Sequence, residues 1–94
     1  MGSSRASADL DHAAFERLLA QMRDLRELPE PSERRRLRLR AGVSARLVAE
    51  AMGGTTPQAV TAYERGERSP RGARLRAYLE ILEILREGPS RRTY

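Results

Sequence analysis

A chain of 94 residues makes one domain with one modest core. It contains no cysteine, which excludes a disulfide framework and a thiolate metal site. The net charge is +5, no apolar run approaches a membrane span, and the N-terminus has no signal-peptide core, so a cytoplasmic protein with no membrane partner is expected.

The charge is lopsided. Residues 1–33 hold 4 Arg against 7 acids, and residues 34–94 hold 14 Arg against 6 acids. A basic body behind an acidic segment fits nucleic-acid binding. All 18 basic residues are arginine, whose planar fork suits phosphate and guanine. That bias also hints at a GC-rich bacterial or phage genome. One Phe and no Trp argue against a platform for stacking single-stranded bases.

Residues 1–8 are small and polar and are expected to be disordered. Asp9 or Asp11 can cap an accessory helix over 9–28. Phe15, Leu18, Leu19, Met22 and Leu25 form its apolar stripe. The 15-18-22-25 spacing is that of a coiled-coil seam, though it spans fewer than three heptads. Three covers remain open: the domain's own core, a second copy of the chain, or a different protein. His12 has no metal-ligand company and reads as an exposed bystander.

Leu28-Pro29-Glu30-Pro31 breaks the helix, because each proline disfavours helix at the residue before it. So short and stiff a linker should hold the accessory helix against the domain. A helix-turn-helix domain is expected over 32–87. Ser32 would cap its first helix, Glu33 to Ala41, with Leu37, Ala41 and Leu39 as core contacts. Arg34, Arg35, Arg36, Arg38 and Arg40 crowd this helix, and Arg36 is a candidate phosphate contact.

Val43 to Pro70 is the central motif. Ser44 is an N-cap candidate. Ala45, Val48, Ala49 and Met52 follow at helical spacing and make one buried face. Gly53-Gly54 stops this helix. Thr56 can cap the next, with Pro57 at its first position. On that second helix Val60, Tyr63 and Glu64 share one side. Gln58, Thr61, Ala62 and Arg65 share another, and their chemistry suits base edges in a major groove. Thr56 and the free amides of the first turn suit a phosphate. Gly66 closes the helix.

Gly42-Val43-Ser44, Val48-Ala49, Met52-Gly53, Val60, Tyr63-Glu64-Arg65-Gly66 and Arg68-Ser69-Pro70 resemble the Xre-type helix-turn-helix of phage lambda-like repressors and Cro proteins. The resemblance covers roughly residues 32–85, and its most specific part is Glu64 to Pro70. It implies an all-α bundle of about five helices that reads double-stranded DNA. It also implies that Arg38 pairs with Glu64, because these residues hold the family's places for that ion pair. Two positions depart from the pattern. The turn Gly53-Gly54-Thr55-Thr56 is one residue longer than usual, and Ala45 stands where a phosphate-binding glutamine often opens the helix. Neighbouring Arg46 is a replacement candidate. An apolar residue is usual where Arg34 stands, which implies a thinly anchored first helix.

Beyond Gly66, Ser69-Pro70 reads as a cap and start for a helix to about Arg86. Arg68, Arg71 and Arg74 can reach DNA backbone. Leu75, Tyr78, Leu79, Leu82 and Leu85 lie on one face; Ala77, Ile81 and Ile84 lie on a second. So wide an apolar arc implies a second partner surface. Phe15, Leu18, Met22, Leu25, Ile81 and Ile84 are therefore the candidate dimer or partner contacts. Gly88-Pro89 ends the helix, and 88–94 reads as a basic tail.

No nucleophile–base pair, metal set or phosphate-binding loop is present in the sequence, so neither an enzyme nor a cofactor is expected. The expected function is a transcriptional regulator, more a repressor than an activator. It would bind double-stranded DNA as a homodimer, with RNA polymerase or a cognate factor as a further partner. Two alternatives stand beside it. One is an antitoxin or adaptor acting through the 15–25 stripe; the other is an architectural or excision accessory factor.

Overall fold

Asp11 opens the first helix, its carboxylate accepting a hydrogen bond from the Ala14 amide at 3.1 Å. Such a cap satisfies one of the donors that every helix start leaves free. The computed structural model describes residues 10–88. The tails expected at 1–8 and 88–94 therefore lie outside the described residues, Gly88 excepted. Within that range the chain is all-α, with five helices: α1 His12–Glu27, α2 Pro31–Ala41, α3 Ala45–Ala51, α4 Pro57–Arg65 and α5 Ala73–Glu87.

The central pair starts where the caps predict. Ser44 Oγ accepts from the Leu47 amide at 3.0 Å and opens α3. Thr56 Oγ1 accepts from the Ala59 amide at 3.1 Å and opens α4, with Pro57 at its start. Gly66 closes α4 at φ 77°, a left-handed conformation that costs a glycine little.

Two starts differ from expectation. Ser32 does not cap α2; the helix begins at Pro31, with Glu30 before it and no side-chain cap. A proline at the first position has its φ already set and lacks only an amide that would be unpaired there, so the helix starts two residues earlier than expected. Nor does α5 begin at Pro70. Gly72, at φ 57° and ψ −129°, interrupts the helical path, and α5 starts at Ala73. Pro70 is buried instead. Past Gly72 the helix runs unbroken to Glu87, as the lack of a turn signal predicts.

α3 and α4 pack on each other, and α2 and α5 close the bundle around them. Leu37, Val48, Ala49, Met52, Ala59, Val60, Tyr63, Tyr78 and Leu82 form the core. Each large side chain buried here stabilises the fold by roughly 1.5–3 kcal/mol before entropy is counted. The Tyr63 and Tyr78 rings lie 5.2 Å apart at 51°, a tilted pairing that aromatic quadrupoles favour. Leu39 and Ala41 are exposed, not core contacts. The inward face of α2 carries Arg34 and Leu37, three residues apart. Leu39 stands two positions from Leu37 and so points away.

The Tyr78 hydroxyl is buried and has no hydrogen-bond partner among the described residues. Burial, and then the nearby Glu64 carboxylate, push its pKa well above the usual tyrosine range, so it stays neutral. Removing an unsatisfied buried hydroxyl removes its desolvation cost. Tyr78→Phe is therefore expected to leave stability unchanged or raise it by up to about 1 kcal/mol. A loss larger than that on urea unfolding would reveal a bond that the hydroxyl does make.

α1 differs from the other helices in burying no residue at all. It does sit against the domain, as its short linker requires. Gln21 Oε1 accepts from the Gly72 amide at 3.1 Å, and Asp24 meets Arg76 at 3.6 Å, both at the start of α5. Leu28, just past the end of α1, packs on the core. The apolar stripe does not: Phe15, Leu18, Leu19, Met22 and Leu25 are 36–53% exposed. Covering the domain's own core is thus not what the stripe does. Polar Gln21 and Asp24 turn toward α5, and the stripe falls to one side. No helix among the described residues is long and apolar enough to cross a membrane.

Candidate nucleic-acid interface

α4 is buried on one side and open on the other. Ala59, Val60, Ala62, Tyr63 and Glu64 are buried, while Gln58 and Arg65 are exposed and Thr61 is half-buried. Ala62 therefore does not belong to the outward face where the spacing put it. It is only 9% exposed, because the inward arc of this short helix is wide enough to take it. The outward face is Gln58, Thr61 and Arg65. Thr61 Oγ1 donates to the Gln58 carbonyl at 3.0 Å, so its proton is used within the helix. What it offers outward is its methyl group and an acceptor lone pair.

The opposite side of α4 is locked in place by charge. Arg38 of α2 donates from Nε to Glu64 Oε2 at 2.5 Å and from Nη2 to Oε1 at 3.0 Å. Such a two-point fork fixes orientation as well as distance. Its third group, Nη1, donates to the Val43 carbonyl at 2.9 Å. One side chain thus ties α2, the lead-in to α3 and the far end of α4 together. The Arg38 pKa is held above its ordinary value, chiefly by the hydrogen bond to Glu64 and against the effect of burial. Glu64 is 6% exposed, so the carboxylate has no water to fall back on.

Arg34 does a second job that the sequence did not reveal. It is buried, and its Nη1 donates to the Tyr63 carbonyl at 2.7 Å. Its Nε donates to the Pro29 carbonyl at 2.8 Å. The first helix of the domain is consequently not thinly anchored. A guanidinium at the C-terminal end of α4 also faces the negative end of that helix dipole. The sequence carries only a partial signal: Arg34 sits one turn before Leu37, which puts it on the core side of α2 but does not name its partner carbonyls.

The candidate phosphate contacts fall into two groups. Arg36 is hydrogen-bonded to Glu33 on its own helix, and Arg46 pairs with Glu50 at 3.4 Å. The Glu33 pKa is lowered, mainly by its bond to Arg36. These are exposed pairs one turn apart, a weak kind of ion pair that solvent screens, so neither holds its arginine firmly. Arg65, Arg68 and Arg71 form no hydrogen bond or ion pair through their side chains among the described residues. Arg68, Arg71 and Arg74 line an open groove of about 480 Å³ just beyond α4, with Glu67, Ser69 and Pro70. Thr56 is exposed at the opposite end of α4, where its oxygen already caps the helix. The longer turn before it is accommodated by Gly53 and Gly54, at φ 90° and 108°.

Of the candidate contacts for a partner, Phe15, Leu18, Met22 and Leu25 share the exposed stripe, and Ile84 is 42% exposed on α5. Ile81 is not free: it packs against the core. His12 is exposed, and the described residues include no group of acids and histidine able to hold a metal.

A helix-turn-helix family model matches residues 35–86, more than half of the chain. The chain belongs to this family, the Xre-type helix-turn-helix of lambda repressor and Cro, and is a DNA-binding regulator of that type. No curated protein and no solved structure matches it.

Proposed function

We propose that the protein is a sequence-specific regulator, a repressor in its usual mode, that binds double-stranded DNA in the cytoplasm as a homodimer on a near-palindromic operator. The observation that carries this reading is the division of α4. Its inner side is fully buried and clamped by Arg38, while Gln58, Thr61 and Arg65 face out together. A helix about 10–12 Å across fits a major groove about 12 Å wide. Gln58 reads adenine through a two-point bond, the Thr61 methyl touches a thymine methyl, and Arg65 reaches guanine or a phosphate. Thr56, Arg36, Arg46, Arg68 and Arg71 hold the backbone. Two copies with their reading helices one DNA turn apart, roughly 34 Å, occupy a two-fold site and exclude polymerase from it.

Selection from random duplex DNA at about 150 mM salt tests this, with Gln58→Ala in parallel. The expected result is a sharp two-fold motif. The variant should lose on the order of 1–3 kcal/mol and blunt preference at one base pair in each half. Equal loss on every sequence would deny Gln58 a reading role. No enrichment at all would reduce the protein to a general DNA binder.

A further inference from the structure

The start of α5 carries a donor that the helix cannot satisfy from its own side chains. Every helix start leaves its first amides free, and a side chain at the cap or at the third helical position commonly takes one. Gly72, the residue before α5, has no side chain to offer. The third helical position is Leu75, which is apolar and wholly buried. The acceptor comes instead from α1, 51 residues away: Gln21 Oε1 accepts from the Gly72 amide at 3.1 Å. Gln21 thus does from another helix what the third-position Glu or Gln of a capping box does from its own.

This bond bears on where Arg71 points. A peptide unit is planar, so the Gly72 N–H and the Arg71 carbonyl turn together. That carbonyl accepts from the Arg74 and Leu75 amides at 3.1 and 3.4 Å. The Arg71–Gly72 peptide is therefore held by α5 on one edge and by Gln21 on the other. Gly72 itself restrains it little. The residue stands at φ 57° and ψ −129°, and nothing lies within 4 Å of where a Cβ would sit. Arg71 lines two grooves, one beyond α4 with Arg68 and Arg74 and one between α1 and α5. Among the described residues the one acid along the second groove is Asp24, and it pairs with Arg76. The Arg71 guanidinium is left with no hydrogen bond or ion pair among the described residues, and so is free for a phosphate.

From these contacts we infer that Gln21 is a positioning residue for DNA binding. It fixes the Arg71–Gly72 peptide and, through it, aims Arg71 at a DNA phosphate. α1 then serves the helix-turn-helix as a brace, seated on α5 by Asp24 and Arg76. The inference deepens the function proposed above and rests on its assignment of Arg71 to the DNA backbone.

Equilibrium binding of the full chain to the duplex recovered most often in the selection provides the test, between about 50 and 300 mM salt. Arg71→Ala should lower affinity about tenfold at 150 mM and flatten the plot of log affinity against log salt by about one unit. Gln21→Leu keeps a good helix former but has no acceptor. It should lower affinity about fivefold and flatten the plot by more than about half a unit. Added to Arg71→Ala, it should cost less than about twofold, because the side chain it positions is already gone. Since α1 buries no residue, Gln21→Leu leaves the helix-turn-helix folded, which circular dichroism verifies. A merely structural role for Gln21 would lower affinity equally with and without Arg71 and leave the salt slope alone, and that result overturns the inference. So does a Gln21→Leu chain that binds as wild type. If Arg71→Ala itself leaves the slope unchanged, the assignment of Arg71 to a phosphate fails and the inference falls with it. The selection result and the Gln58 variant still judge the reading helix separately.

Discussion

Arg38→Met is expected to cost about 3–5 kcal/mol of folding stability, because it leaves the Glu64 carboxylate buried without its partner. Glu64 is almost inaccessible to water, and among the described residues only Arg38 is hydrogen-bonded to its side chain. The same substitution frees the Val43 carbonyl from Nη1, which loosens the approach to α3. Small domains have only about 5–15 kcal/mol in total, so much of the variant should be unfolded under mild denaturant. Urea unfolding followed by far-UV circular dichroism measures this. The paired substitution Arg38→Met with Glu64→Leu should recover most of the loss, since an apolar pair of similar volume has no charge to desolvate. The reason to keep the ion pair is then geometric. Three bonds from one guanidinium fix how α4 sits on α2 and α3, and Met–Leu packing has no such directionality. The double variant should therefore be stable yet bind DNA with blunted sequence preference. A single variant costing under about 1 kcal/mol would mean that water reaches Glu64 once Arg38 is gone.

What the sequence disclosed, and what it concealed, follow one division. Features set by residues a few positions apart were legible. Ser44 and Thr56 are caps because a short oxygen-bearing side chain reaches an amide three residues on, and both cap as read. Gly66 ends α4 for a similarly local reason. The Ser32 and Pro70 starts went wrong where two local rules competed. At 31–32 the proline at the first helical position prevailed over the serine cap. At 70–73 the backbone at Gly72 prevailed over the Ser-Pro signal. The width of a buried face was harder to read. Ala62 fell on the reading face by spacing alone, yet α4 is enclosed over more than half its circumference. Arg34 was concealed for a different reason. A charged residue in an arginine run reads as solvated surface, and only the fold brings the Tyr63 carbonyl, 29 residues away in sequence, to its guanidinium.

Arg34→Ala is the second large effect. It removes two hydrogen bonds from a charged donor, each contributing about 1.5–3 kcal/mol, and relieves part of the cost of burying the charge. The net loss expected is about 2–4 kcal/mol. The location of the damage separates this variant from a generic core defect. The Tyr63 carbonyl keeps its bond from the Gly66 amide at 3.2 Å, so α4 does not unravel from that end. The Pro29 carbonyl loses the side chain that ties the linker to α2 and α4. Hydrogen exchange should therefore quicken first in α1, whose remaining ties among the described residues include Gln21, Asp24 and Leu28, and only then in the core of α4. DNA affinity should fall less than stability does, because Gln58, Thr61 and Arg65 lie outside the lost contacts. If α1 and the centre of α4 instead lose protection together, Arg34 belongs to the same cooperative unit as Arg38. The linker would then be part of the reading domain's core rather than a strap across it.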